Sequence, residues 1–244
     1  MRRKKIIRKG ADWKTMKATR VLPESYSLYH HFDVTKYKKA TWVVIVLGLL
    51  VFVASFTFLN NLARTLRPEY QPVERLHFEL TLERLIVVLR LLVPMAVIAI
   101  VHEGIHASCL WLFTHERPTF VATFEGVGGI GVRLPSWYFS RNAFLVANLA
   151  PVFSMTLAGL LLLPIVAHRG IGLLVFGLSL NLAGSTTDVI SSIYVCLLPA
   201  SVYVTTDGEI HLSQVGDGDP KWKRWLRSGM KWILARLEGA NGEG

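Results

Sequence analysis

From Thr41 to Leu59 the chain is almost unbroken in apolar side chains and carries no charge. At about 1.5 Å of helix rise per residue, that stretch is long enough to cross the hydrocarbon of a bilayer. Three further apolar blocks follow, at about 91–113, 143–167 and 170–199. Over 244 residues the composition is 52% hydrophobic and only 18% charged, and the apolar residues are gathered rather than spread. That pattern predicts an all-α integral membrane protein of about four transmembrane helices.

Charge gives the expected orientation. Of the formal +10, much sits in the N-terminal tail, where twelve Lys or Arg between Met1 and Lys39 face only Asp12, Glu24 and Asp33. A basic tail abutting an apolar block reads as a cytoplasmic anchor beside anionic lipid. It carries no aromatic-basic recognition motif, so a nucleic-acid partner is not expected. The first apolar block starts too late and runs too long for the h-region of a cleavable signal, so it reads as a retained anchor. The link Asn60–Arg84, with four Arg and four Glu, falls outside. Arg90 then snorkels to the outer interface. Both termini are thus expected in the cytoplasm, in a multi-pass protein of the cell membrane. Three regions result: a basic tail at 1–40, a membrane domain at 41–200, and a cytoplasmic hairpin and amphipathic helix at 201–244.

Inside the second block stands Val101-His102-Glu103-Gly104-Ile105-His106. On a helix His102 and His106 project from one face a turn apart, so both imidazoles can reach one zinc ion, with Glu103 beside the metal's open position. Ionisable side chains are expensive in hydrocarbon, which favours a functional site over chance. The competing reading is a pair of buried histidines hydrogen-bonded to neighbouring helices. Cys109, three residues on, is a small apolar filler or a further ligand. With Cys196 it implies no disulfide framework.

The fourth block carries Gly177, Asn181, Gly184, Ser185 and Asp188 on one small, polar stripe, which turns inward in a helical bundle. Asp188 is its only acid. It reads as the third zinc ligand, at the same cytoplasmic depth as His106, or else as a helix-packing group or a partner for Arg90. Asn148, near the start of the third block, either joins helices or contacts the site.

Between the second and third blocks, Pro118–Phe124 and Ile130–Pro135 flank a glycine-rich turn and read as a short cytoplasmic β-hairpin. No strand–loop–helix context supports phosphate binding there. His168-Arg169-Gly170 reads as a tight outer turn. Asp207-Gly208 between alternating runs signals a second hairpin, and Asp219-Pro220 opens a basic helix bearing Trp222, suited to the inner membrane surface.

The His102-Glu103-x-x-His106 pentad, with Asn181-x-x-Gly184-Ser185-x-x-Asp188 two blocks later, resembles the site-2 protease clan of intramembrane zinc metalloproteases. The likeness is closer to the small putative zincin peptidase families, which share a compact membrane domain, the extended segment and an Ala-Pro step such as Ala150-Pro151. It covers roughly Leu91 to His211. The chain departs from the site-2 pattern at Gly184, where proline is usual, in an Asn-to-Asp spacing one residue shorter, and at Val189 after the aspartate.

The resemblance implies a zinc-dependent endopeptidase acting on membrane-protein or peptide substrates, with His102, His106 and Asp188 on the metal and Glu103 as general base. Asn181 or Asn148 would contact the oxyanion or the substrate. The alternative is a non-catalytic zinc-binding adaptor or an inactive protease homologue, which needs the ligands but not Glu103. A metal transporter fits less well, because the other six histidines are scattered.

Overall fold

The computed structural model describes residues 17–31, 38–71, 82–123, 129–213 and 228. Five helices carry it: α1 (Lys38–Leu66), α2 (Leu82–Thr114), α3 (Arg141–Leu162), α4 (His168–Gly184) and α5 (Thr186–Leu197). Helices α1, α2 and α3 are each long and apolar enough to cross a membrane, over Thr41–Leu66, Leu92–Thr114 and Arg141–Leu162. The bent pair α4–α5 makes a fourth candidate, broken by 42°. Large apolar side chains such as Leu50, Val93, Ile100, Leu112, Phe153 and Leu161 are exposed on these helices.

Helix limits differ from the apolar blocks for local reasons. Helix α1 runs past Leu59 because the polar residues there are satisfied: Asn60 Nδ2 donates to Phe56 O at 2.8 Å and Tyr70 Oη donates to Asn60 Oδ1 at 2.9 Å. Helix α3 stops at Leu162 and a turn follows around Pro164, whose ring removes a backbone donor. Arg67 Nη1 covers that turn, donating to Pro164 O at 3.1 Å and Val166 O at 3.0 Å. The turn therefore precedes His168-Arg169-Gly170, which forms the first turn of α4 instead of a loop.

The architecture is mostly helical but not all-α. Strands β1 (Ala18–Thr19), β2 (Tyr26–His31), β5 (Tyr138–Ser140), β6 (Tyr203–Val204) and β7 (Glu209–Ser213) form an antiparallel sheet in the order β1-β5-β6-β7-β2. The expected 201–213 hairpin is its centre, with Tyr203 opposite His211 and Gly208 at φ 84° in the turn. Its neighbours are brought from distant sequence: Leu28 pairs with His211 and Phe139 with Val204. Strands β3 (Thr119–Thr123) and β4 (Gly129–Arg133) form the separate hairpin read from the glycine-rich segment. The tail at 1–16, the side chain of Arg90 and the helix read after Pro220 lie outside what is described.

Two of the three apolar cores among the described residues join helix to helix and helix to sheet, and the third, with Leu110 and Ala147, lies against the cavity. Leu59, Ala63 and Tyr70 pack on Ile171, Val175 and Leu178, joining α1 to α4. Tyr194, Val195 and Leu198 at the end of α5 pack on Val202, Val204 and Ile210, seating the five-stranded sheet under the helices. Arg141 Nη1 donates to Leu198 O at 2.9 Å and so ties the start of α3 to the end of α5. The β6–β7 turn is thereby held at the mouth of the helical bundle.

Candidate metal centre and cavity

The pentad lies on α2, well inside the helix, so its two histidines share a face as the spacing predicts. Their Nδ1 atoms turn away from each other to separate acceptors. His102 Nδ1 lies 3.0 Å from Asn181 Oδ1 on α4, and His106 Nδ1 lies 2.8 Å from Ala147 O on α3. Amide and carbonyl oxygens only accept, so each Nδ1 carries the proton and each Nε2 presents a lone pair in the neutral ring.

Those lone pairs converge with a carboxylate. His102 Nε2 is 3.2 Å from Asp188 Oδ2, His106 Nε2 is 3.6 Å from the same oxygen, and the two Nε2 atoms are 3.2 Å apart. A tetrahedral zinc with bonds of about 2.0–2.1 Å separates neighbouring ligand atoms by about 3.3 Å. The three edges bracket that length. The donor set also fits: two neutral imidazoles and a carboxylate offer lone pairs to one point and no proton between the nitrogens, an arrangement a cation completes. Side-chain exposures of 12%, 13% and 19% for His102, His106 and Asp188 leave the cluster shielded but reachable.

Asn181 and Asp188 lie on either side of the bend in the fourth apolar block. Seven residues apart and so on one helix face, they meet the His102 ring one at each nitrogen. Ser185 Oγ and Ser185 N both bond Asn181 O, at 2.7 and 3.0 Å, which finishes α4 at that residue. The polar stripe does face α2, and at Gly177 a Cβ would come within 2.9 Å of Ile98 Cδ1. Gly184, read as part of the same stripe, has nothing within 4 Å of its Cβ position.

A cavity of about 570 Å³ opens beside the cluster and contains Glu103, His106 and Asp188 in its lining. Among the described residues, the Glu103 carboxylate has no hydrogen bond or ion pair. Asn148 also lines the cavity, but its Nδ2 donates within the fold, 2.7 Å from Asp188 O, 2.8 Å from Ser191 Oγ and 3.0 Å from Ser192 Oγ. It fastens α3 to α5. Asn181 does not line the cavity and is 2% exposed. Cys109 stands apart from the ligands, packed among Leu110, Leu134 and Phe139.

The cavity's outer wall joins the hairpin read from the glycine-rich segment to a turn that the sequence does not place there. Strand β4 forms one side and the β6–β7 turn the other. Thr206 Oγ1 accepts from Leu134 N at 3.0 Å, and Arg133 Nε pairs with Asp207 Oδ1 at 3.3 Å. Nor could sequence single out Ala147, which contributes a backbone carbonyl that any residue would supply. For the Asn181–His102 contact the available signal was an amide on an inward polar stripe.

Residues 95–203 match a protein family described as putative zincin peptidase. The match runs from within α2 to the first residue of β6 and takes in the whole cluster, though it covers less than half of the chain. No curated protein and no solved structure matches the chain. The similarity supports a zinc metallopeptidase.

Proposed function

We propose that this chain is a zinc-dependent intramembrane endopeptidase of the site-2 protease type, cleaving membrane-protein or peptide substrates at the cavity between α2 and α5. The observation that carries the reading is the triangle of His102 Nε2, His106 Nε2 and Asp188 Oδ2, whose edges of 3.2, 3.6 and 3.2 Å suit one zinc ion. Three or four apolar helices around it support a membrane setting, with the termini on the cytoplasmic side and the basic tails on anionic lipid.

Zinc, when bound, supplies the Lewis acidity that acidifies water and polarises a carbonyl. The remaining work falls to the chain. Glu103, one residue from His102 and open to the cavity, takes a proton from the attacking water and returns it to the leaving amide nitrogen. The C–N bond breaks as water oxygen joins the carbonyl carbon, leaving a carboxylate and an amine. The substrate must present an extended backbone to the site. Strand β4 lines the cavity and pairs on one edge with β3, so its other edge is placed to hold a substrate strand. Helix-weak residues in the substrate lower the cost of unwinding it.

The test is Glu103→Gln in detergent, assayed against a transmembrane peptide that the parent cleaves. Cleavage should fall by about 10²–10⁴ while zinc content stays at the parent level, as expected when only the proton carrier is lost. A Gln variant as active as the parent contradicts the proposal. A parent that holds zinc but cleaves no transmembrane peptide points instead to a zinc-binding adaptor.

A further inference from the structure

We infer that Asn181 is a positioning residue that fixes His102 in its metal-binding tautomer, and that it is not an oxyanion donor; the inference rests on the zinc site proposed above. Three observations carry it. The amide is buried, and among the described residues its Nδ2 has no hydrogen-bond partner. A residue serving to join helices would have both ends of the amide satisfied, as buried polar groups normally are. Here the side chain makes one hydrogen bond, accepting at Oδ1 from His102 Nδ1–H at 3.0 Å.

The second observation is directional. With Oδ1 toward the ring, the proton must sit on Nδ1, and Nε2 points its lone pair at Asp188 Oδ2 and His106 Nε2. The opposite amide orientation would offer an N–H to Nδ1, move the ring proton to Nε2 and close that nitrogen to a metal. His106 obeys the same logic through Ala147 O, so each ligating histidine is held at its far nitrogen by a neighbouring helix. Third, Asn181 is absent from the cavity lining, so its N–H groups do not face the place where an oxyanion would form.

The break at Ser185 gives the arrangement its mechanics. The Asn181 backbone is pinned by two bonds from Ser185, and Asp188 sits in the first turn of the next helix. The His102 ring thus spans the joint, with α4 holding one nitrogen and α5 facing the other.

Zinc affinity of the full chain in detergent, read by competition with a chelator, tests this at Asn181→Ala and Asn181→Asp. The Ala variant should bind zinc about 10–100-fold more weakly, the usual penalty for removing an outer partner of a ligating histidine. The Asp variant should recover most of that loss, because a carboxylate oxygen accepts the same Nδ1–H, whereas an oxyanion donor could not be replaced by an anion. An Ala variant that matches the parent, or an Asp variant no better than Ala, overturns the inference while leaving the zinc site standing. If the parent binds no zinc, both fall. Nitrogen NMR of histidine-labelled, zinc-loaded parent needs no variant to fold: His102 should show the proton on Nδ1 and metal at Nε2, and metal at Nδ1 overturns the inference.

Discussion

The Nε2 atoms of His102 and His106 face each other across 3.2 Å, and the other nitrogen of each ring is already committed to an acceptor on a different helix. Neutral rings held this way can only repel or share a cation. Asp188, 3.2 Å from one Nε2 and 3.6 Å from the other, supplies the negative charge that makes a divalent ion the stable solution.

Asp188→Ala removes that charge and one donor. Zinc affinity should fall by more than about 100-fold, beyond the upper range for losing an outer-shell partner. Cys109→Ser should leave affinity at the parent value, since Cys109 packs with Leu110 and Leu134 away from the ligands. Chelator competition reads both. Retained affinity in the Ala variant would reassign the third ligand.

Asn148→Ala takes the donor from Asp188 O, Ser191 Oγ and Ser192 Oγ at once. Leaving such groups unpaired costs about 1–3 kcal/mol. A lower thermal midpoint in detergent is expected, with helical content of the native protein unchanged. An unaltered midpoint would show that water or another donor replaces the amide.

At Gly159, helix α3 packs tightly against Leu178 of α4. A Cβ there would clash with Leu178 Cδ2 and come within 2.8 Å of Leu178 Cγ, and Leu178 is itself buried. Overpacking of this kind costs about 1–3 kcal/mol. Gly159→Ala should lower the thermal midpoint, and adding Leu178→Ala should recover part of the loss. If the double variant is no more stable than expected from the sum of the two, the contact is not the cause.

Glu116 carries a pH dependence of known sign. The hydrogen bond from Trp137 Nε1, at 2.9 Å, and the pairing with Arg20 hold its carboxyl below the ordinary 4.5. A depressed folded-state pKa contributes stability above the ordinary value and loses it as pH falls through the folded one. The parent's thermal midpoint should therefore drop as pH is lowered from above 4.5, and drop less in Glu116→Gln. The exposed setting keeps the effect small. Identical pH profiles would remove this group from the account.

The helices were legible because apolar blocks of span length have few other uses, and the pentad because its residue types are costly there. The meeting of Asp188 with the histidines was legible from a single acid on an inward stripe. The break at Ser185 was not read, although Gly184-Ser185 and the Ser185-x-x-Asp188 spacing are a helix stop and a helix start, because the apolar residues on either side run on at span length. Strands β1 and β5, two and three residues long, are too short to show alternation, and their partners lie far away in sequence. The cavity wall depends on contacts such as Leu134 with Thr206, which only the assembled fold brings together.

The account stands most directly on metal content. Zinc per chain should be measured on purified parent and on His102→Ala, each washed with a mild chelator. The parent should hold about one zinc and the variant almost none, because the variant loses one ligand and the contact that spans α4 and α5. Equal zinc in the two would contradict the central claim.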